Sequence, residues 1–170
     1  LFRSIVPDFI VNNDGGNIEV SLNNANIPEL HVNKEFNDML QNYQRQTQHT
    51  KQEREAITFI KDRIDSARWF IDAVKQRNNT LLATMRTIVR MQRDYFIEGD
   101  EALLKPLILK DIADATGYDI STISRVCNSK YAQTEFGILP LRFFFSESIT
   151  NEEGEEVATR AIKNALLELV

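Results

Sequence analysis

Between Ile120 and Asn128 the segment ISTISRVCN places Ser121, Ser124, Arg125 and Asn128 on one side of a helical wheel, with Ile120, Ile123, Val126 and Cys127 on the other. The first set is short, polar and once cationic. Such side chains hydrogen-bond to base edges and phosphate oxygens when a helix lies in the major groove of DNA. The plainer reading of the same face is the solvated side of a compact helix pair. Either role needs a second element packed against the apolar side.

Leu109 to Tyr131, LKDIADATGYDISTISRVCNSKY, contains that element and reads as a helix-turn-helix. Ile112 and Ala113 share a face of the first helix, and the small Ala113 allows close approach. Gly117 follows where the chain must turn, because it adopts a positive φ without steric cost. Asp119 or Ser121 can cap the second helix. Cys127 is expected to be a small buried apolar residue.

With 170 residues, 42% hydrophobic and 26% charged, the chain can bury one substantial core or two small ones. No apolar run approaches membrane-spanning length and LFRSIVPDF lacks the features of a signal peptide, so a cytoplasmic location is expected. One cysteine excludes an intramolecular disulfide, and His31 and His49 lie beside no carboxylate pair at ligand spacing, so neither a metal nor another cofactor is expected. The formal charge of −5 opposes free-standing binding to nucleic acid. It is unevenly spread: Val74 to Arg93 holds five bases and no acid, Glu147 to Glu156 five glutamates and no base.

Towards the N-terminus, Phe9 to Val11 and Ile18 to Leu22 flank Asp14-Gly15-Gly16 as a hairpin. The glycine pair is not a phosphate loop, since no Lys-Ser/Thr follows it. Asn33 can cap a helix carrying Phe36, Met39, Leu40 and Tyr43 on one face. Gln44 to Glu53 is polar, either a solvated continuation of that helix or a loop. A long amphipathic helix from Ile57 to Val74 should end near Arg77-Asn78. A second should start at Asn79 or Thr80 and close at Gly99, the two forming an antiparallel hairpin. Arg86, Arg90 and Arg93 form a row on that second helix, suited to carboxylates or phosphates or simply solvated.

Glu101 to Lys105 should make one helical turn before Pro106. After Tyr131 the sequence TEFGILPLRFFF, Thr134 to Phe145, reads as an extended strap with Leu141, Phe143 and Phe145 inward and Arg142 outward. Glu155 to Val170 has the pattern of an amphipathic helix. No nucleophile elbow, Cys-His pair, Walker loop or opposed carboxylate cluster is present, so an enzyme is not expected. The expected fold is mainly α: a helical bundle with a small N-terminal β-hairpin, followed by a helix-turn-helix subdomain.

Several pieces in order carry a family resemblance: Pro7-Asp8-Phe9-Ile10-Val11, Val20-Ser21-Leu22-Asn23, Ala67-Arg68-Trp69-Phe70-Ile71, Gln76-Arg77-Asn78-Asn79-Thr80-Leu81 and Ile88-Val89-Arg90-Met91-Gln92. They continue through Gly99, Leu104-Lys105-Pro106, Leu109-Lys110-Asp111-Ile112-Ala113, Ser121-Thr122-Ile123-Ser124-Arg125-Val126, Lys130-Tyr131, Thr134, Gly137 and Leu141-Arg142-Phe143-Phe144. Together they resemble the central region of the sigma-54 family of bacterial RNA polymerase promoter-specificity subunits, over roughly residues 3 to 145. The resemblance implies a core RNA polymerase-binding region over 1–100, a helix-turn-helix subdomain with its strap over 101–146, and over 147–170 the start of a helix leading to a C-terminal domain.

It further implies that Ser121, Thr122, Ser124, Arg125, Asn128 and Lys130 contact the start-proximal element of promoter DNA, and that Arg77, Arg86, Arg90 and Arg93 face polymerase. The family's activator-response region and its upstream-element-binding box have no counterpart, so the chain is expected to be a fragment. The activator ATPase would act through those other regions, and the protein would be a monomer outside the holoenzyme. Two rivals remain. One is a repressor-like helix-turn-helix protein, though such headpieces sit at an extreme N-terminus. The other is a helical protein-interaction module that never enters DNA.

Overall fold

The computed structural model describes residues 5–23, 30–45, 50–146, 148–150 and 156–158. Strands β1 (Phe9–Asp14) and β2 (Asn17–Leu22) pair antiparallel across Gly15 and Gly16, with φ of +57° and +93°. Those angles suit a tight two-residue turn and are reached freely only by glycine. The Asn13 side-chain oxygen accepts the Gly16 N–H at 2.9 Å. The hairpin therefore forms where the sequence places it.

Helix α1 (Lys34–Arg45) begins at Asn33, whose Oδ1 accepts the Glu35 N–H at 2.9 Å, as its type and position anticipate. Helix α2 (Lys51–Met91) starts with a reciprocal cap: Thr50 N–H donates to Glu53, and Glu53 N–H to the Thr50 hydroxyl. Gln44 to Glu53 is thus divided between two helix ends, with His49 outside the described residues.

The expected break at Arg77-Asn78 and the antiparallel hairpin do not occur, because α2 runs unbroken through 41 residues. Asn78, Asn79 and Thr80 each cost only a few tenths of a kcal/mol in a helix, and no glycine or proline intervenes. Low propensity alone cannot stop a helix that is buried at later turns.

The break comes instead at Gln92, after which α3 (Arg93–Glu98) ends at Gly99 in the left-handed conformation, φ +75°. A 3-10 turn follows at Glu101–Leu103, capped by the Asp100 carboxylate. Helices α4 (Leu109–Thr116) and α5 (Ile120–Cys127) then lead into β3 (Tyr131–Thr134) and β4 (Gly137–Pro140). Beyond the expected hairpin, the sheet has four strands in the order β2-β1-β3-β4, with β1 parallel to β3 at Phe9↔Ala132. That pairing joins residues far apart in sequence, which no local pattern signals.

The extended strap is corrected at Leu141–Phe144, a 3-10 helix. Its three-residue period buries Leu141 and Phe144 completely and leaves Phe143 and Phe145 half-buried, while Arg142 is exposed as expected. Strands β5 (Ser148–Thr150) and β6 (Glu156–Ala158) pair antiparallel, so the helix expected from Glu155 does not cover 156–158; its remainder lies outside the described residues.

Two compact units divide the chain. One comprises Leu1–Asn23 with Thr80–Val170, so the N-terminal hairpin and the helix-turn-helix lie in the same unit. Its core gathers Phe9, Val11 and Val20 from the sheet, Leu81, Met85 and Ile88 from α2, and Ile112, Ile123, Leu141 and Phe144. The other, Asn24–Asn79, contains α1 and the first part of α2. There Arg68 donates to the Asn37 side chain at 3.2 Å, and Phe36 and Met39 stay about half exposed.

Candidate nucleic-acid interface

Two short helices must be fixed firmly if one is to read a groove. In α4 the Asp111 carboxylate accepts the Ile108 N–H at 2.8 Å, closing the first turn, and the negative charge suits that end of the dipole. Gly117 ends the helix at φ +73°, donating to the Ala113 carbonyl at 2.8 Å. Asp119, rather than Ser121, caps α5, accepting the Ser121 N–H at 2.7 Å. Hydrogen bonds from Ser121 hold the Asp119 carboxyl below its ordinary range, with smaller help from Thr122 and the Arg125 charge.

Ile123, Val126 and Cys127 are buried behind α5 and meet Ile112 and Ala113 of α4 in one core. Burial pushes the Cys127 thiol up to about 12, Arg142 acting weakly the other way. Ile120 departs from the expected apolar side: it is 41% exposed, because at the first residue of α5 it lies ahead of the packed turn.

The opposite face carries the predicted set. Ser121, Arg125 and Asn128 are exposed, and Thr122 and Ser124 half-buried. Asn128, at the end of α5, accepts a hydrogen bond from Arg142 at 3.1 Å. This brings a second guanidinium beside the helix, which the sequence identified only as outward-facing.

Lys130 is placed differently from the others. Its ammonium lies 2.9 Å from the Asp8 carboxylate, with both side chains less than a third exposed. The other Asp8 oxygen accepts the Tyr131 N–H at 3.1 Å, and the Asp8 N–H donates to the Tyr131 carbonyl at 2.8 Å. Lys130 thus positions the chain leaving α5, with much of its charge met inside the protein.

Gln92, a polar residue, is fully buried and joins three segments. Its oxygen accepts the Lys105 N–H at 2.8 Å, and its nitrogen donates to the Lys105 carbonyl at 2.8 Å and the Phe144 carbonyl at 3.0 Å. A buried amide in an otherwise apolar helix face is the sequence signal that could have marked it.

Of the predicted arginines, Arg86, Arg90 and Arg93 are exposed along one wall of a cleft opposite β2, and Arg93 donates to the Gly16 carbonyl at 2.9 Å. Arg77, also exposed, belongs to the other unit and does not join them. Among the described residues there is no group of three metal-ligating side chains, and no helix is long and apolar enough to cross a membrane.

The fold is similar to that of the crystal structure of Aquifex aeolicus sigmaN bound to promoter DNA, with a TM-score of 0.65, 23% identity, and coverage of 99% of this chain and 47% of that one. In sequence the chain is 39% identical over 166 residues to the RNA polymerase sigma-54 factor of Pseudomonas putida, covering 98% of this chain and 32% of that relative. It is 34% identical over 166 residues to the sigma-54 factor of Escherichia coli K12, covering 98% and 33%. The chain therefore spans about a third of the length of the curated relatives it matches. Residues 2–36 match the family profile described as "Sigma-54 factor, core binding domain". Since residues 57–170, more than half the chain, match the one described as "Sigma-54, DNA binding domain", the chain belongs to the sigma-54 factor family.

Proposed function

We infer that this chain is the central part of a sigma-54-type transcription initiation factor, which docks on core RNA polymerase and presents α5 to the start-proximal element of promoter DNA. The observation that carries this reading is the exposure of Ser121, Arg125 and Asn128 on a helix whose other side is locked by Ile123, Val126 and Cys127. A fixed helix with exposed polar tips can discriminate base pairs, because its backbone need not reorganise on binding. Arg125 suits a bidentate contact to guanine, Ser121 and Asn128 flank it, and the half-buried Thr122 and Ser124 offer hydroxyls suited to phosphate contacts. Lys130 contributes by orienting the end of α5.

A formal charge of −5 gives little general attraction for DNA, so protein contacts must supply much of the affinity. Arg86, Arg90 and Arg93, together with Arg77, are the proposed polymerase-facing cations. In this reading the protein is cytoplasmic, catalyses no reaction and needs no cofactor. It is a monomer outside the holoenzyme, and the activator ATPase acts through other segments of the full-length factor.

Footprinting of the reconstituted full-length holoenzyme tests this. Arg125→Ala should weaken protection of the start-proximal element by about 1–3 kcal/mol if the side chain reads a base. An unchanged footprint would support an interaction module whose helix-turn-helix never enters DNA.

A further inference from the structure

The cleft beside β2 has about 740 Å³ of space, with Gly16 to Val20 on one wall and Arg86, Val89, Arg90 and Arg93 on the other. β2 is the outer strand of its sheet. A two-residue turn makes Asp14 and Asn17 a hydrogen-bonded pair, and the Asn23 N–H bond to the Asp8 carbonyl at 2.9 Å keeps that phase at the far end. Asn17, Glu19 and Ser21 therefore direct their backbone groups to β1. Ile18 and Val20 direct theirs to the free edge, towards the cleft.

Such an edge is a template for another strand. Every second side chain of an added strand would lie on the same face as Val20, which is buried towards α2. Arg86 and Arg90 have no carboxylate within ion-pairing distance among the described residues, and Arg93 reaches only the Gly16 carbonyl. Within α2 the helix rises about 6 Å from Arg86 to Arg90. One same-face step of a strand covers about 7 Å, within reach of long arginine side chains. Among the described residues Glu19 is the one carboxylate lining the cleft, against three guanidinium groups.

We propose that the free edge of β2 and the Arg86-Arg90-Arg93 row form a strand-addition site for an extended, acidic segment of core polymerase, with carboxylates at alternate positions. This rests on the reading that the chain docks on polymerase. A polypeptide fits better than a nucleic acid, because a strand edge offers both N–H donors and C=O acceptors, while a phosphate only accepts.

Hydrogen exchange resolved to single amides, on the full-length factor with and without core polymerase, tests the site. Ile18 and Val20 amides should exchange at least tenfold more slowly in the complex, while Glu19, already bonded to β1, stays unchanged. Arg86→Glu with Arg90→Glu should abolish the added protection, with Glu19 protection reporting that the hairpin is still folded. A photo-crosslinker at Asn17 should capture an acidic peptide of the core enzyme. Complex formation without protection of Ile18 and Val20, protection that survives the double charge reversal, or capture of DNA at Asn17 would overturn the site and leave polymerase docking intact. Failure of the wild-type factor to bind core at all would overturn both.

Discussion

Asp8 and Lys130 lie 122 positions apart in sequence and meet at 2.9 Å. The contact ties the residue just before β1 to the segment that leaves α5. Because Asp8 also accepts the Tyr131 N–H, its two substitutions separate charge from hydrogen bonding. Asp8→Asn keeps an acceptor for Tyr131 and should cost about 1 kcal/mol or less. Asp8→Ala leaves that N–H unmet as well and should cost about 1–3 kcal/mol. Urea unfolding measures both, and equal losses would mean that only the ion pair matters.

Gln92 should be among the least replaceable polar residues. Gln92→Leu has nearly the right volume but strips partners from the Lys105 N–H, the Lys105 carbonyl and the Phe144 carbonyl. Unsatisfied buried groups cost roughly 1–3 kcal/mol each, so a loss of at least about 2 kcal/mol is expected in thermal or urea unfolding. A neutral effect would show that water replaces the amide.

Gly99 is required twice over. At φ +75° a side chain is strained, and an added Cβ would stand 2.5 Å from the Phe136 ring. Gly99→Ala should destabilise by about 1–2 kcal/mol from backbone strain alone. Combining it with Phe136→Ala should recover the steric part and not the strain, a difference read from a double-mutant cycle.

Cys127 should be inert while the fold is intact. With its thiol pushed up to about 12 by burial, alkylation at pH 8 should run roughly a thousandfold slower than at an ordinary thiol. The raised value also fixes a pH dependence. The folded state keeps the proton that the unfolded state loses near its ordinary value of 9.0, so this stabilisation is complete below about pH 8 and lost between roughly pH 9 and 12. Cys127→Ala should flatten that alkaline decline in a series of unfolding curves.

The helix-turn-helix was legible because its determinants are local. Gly117, Asp119 and the Ile123-Val126-Cys127 side occupy the positions their types demand, and the hairpin turn and the Gly99 stop follow the same logic. Features decided at long range were not. The parallel pairing of Phe9 with Ala132 and the Asp8 contact to Lys130 have no signature within either segment. Continuity of α2 through Asn78-Asn79 has no local signature, because weak propensity resembles a stop when no packing is visible. At Leu141–Phe144 a three-residue period passed for a two-residue one, since Leu141 satisfies both.

Photo-crosslinking from Ser121 in the full-length holoenzyme on promoter DNA tests the central claim most directly. Ser121 is exposed on α5, and Ser121→Cys gives a handle for a short photoprobe while the buried Cys127 stays silent. DNA crosslinks confined to the start-proximal element are expected, and they should vanish when that element is mutated. Crosslinks to polymerase alone, or to DNA irrespective of the element, would contradict the assignment of α5 as its reader.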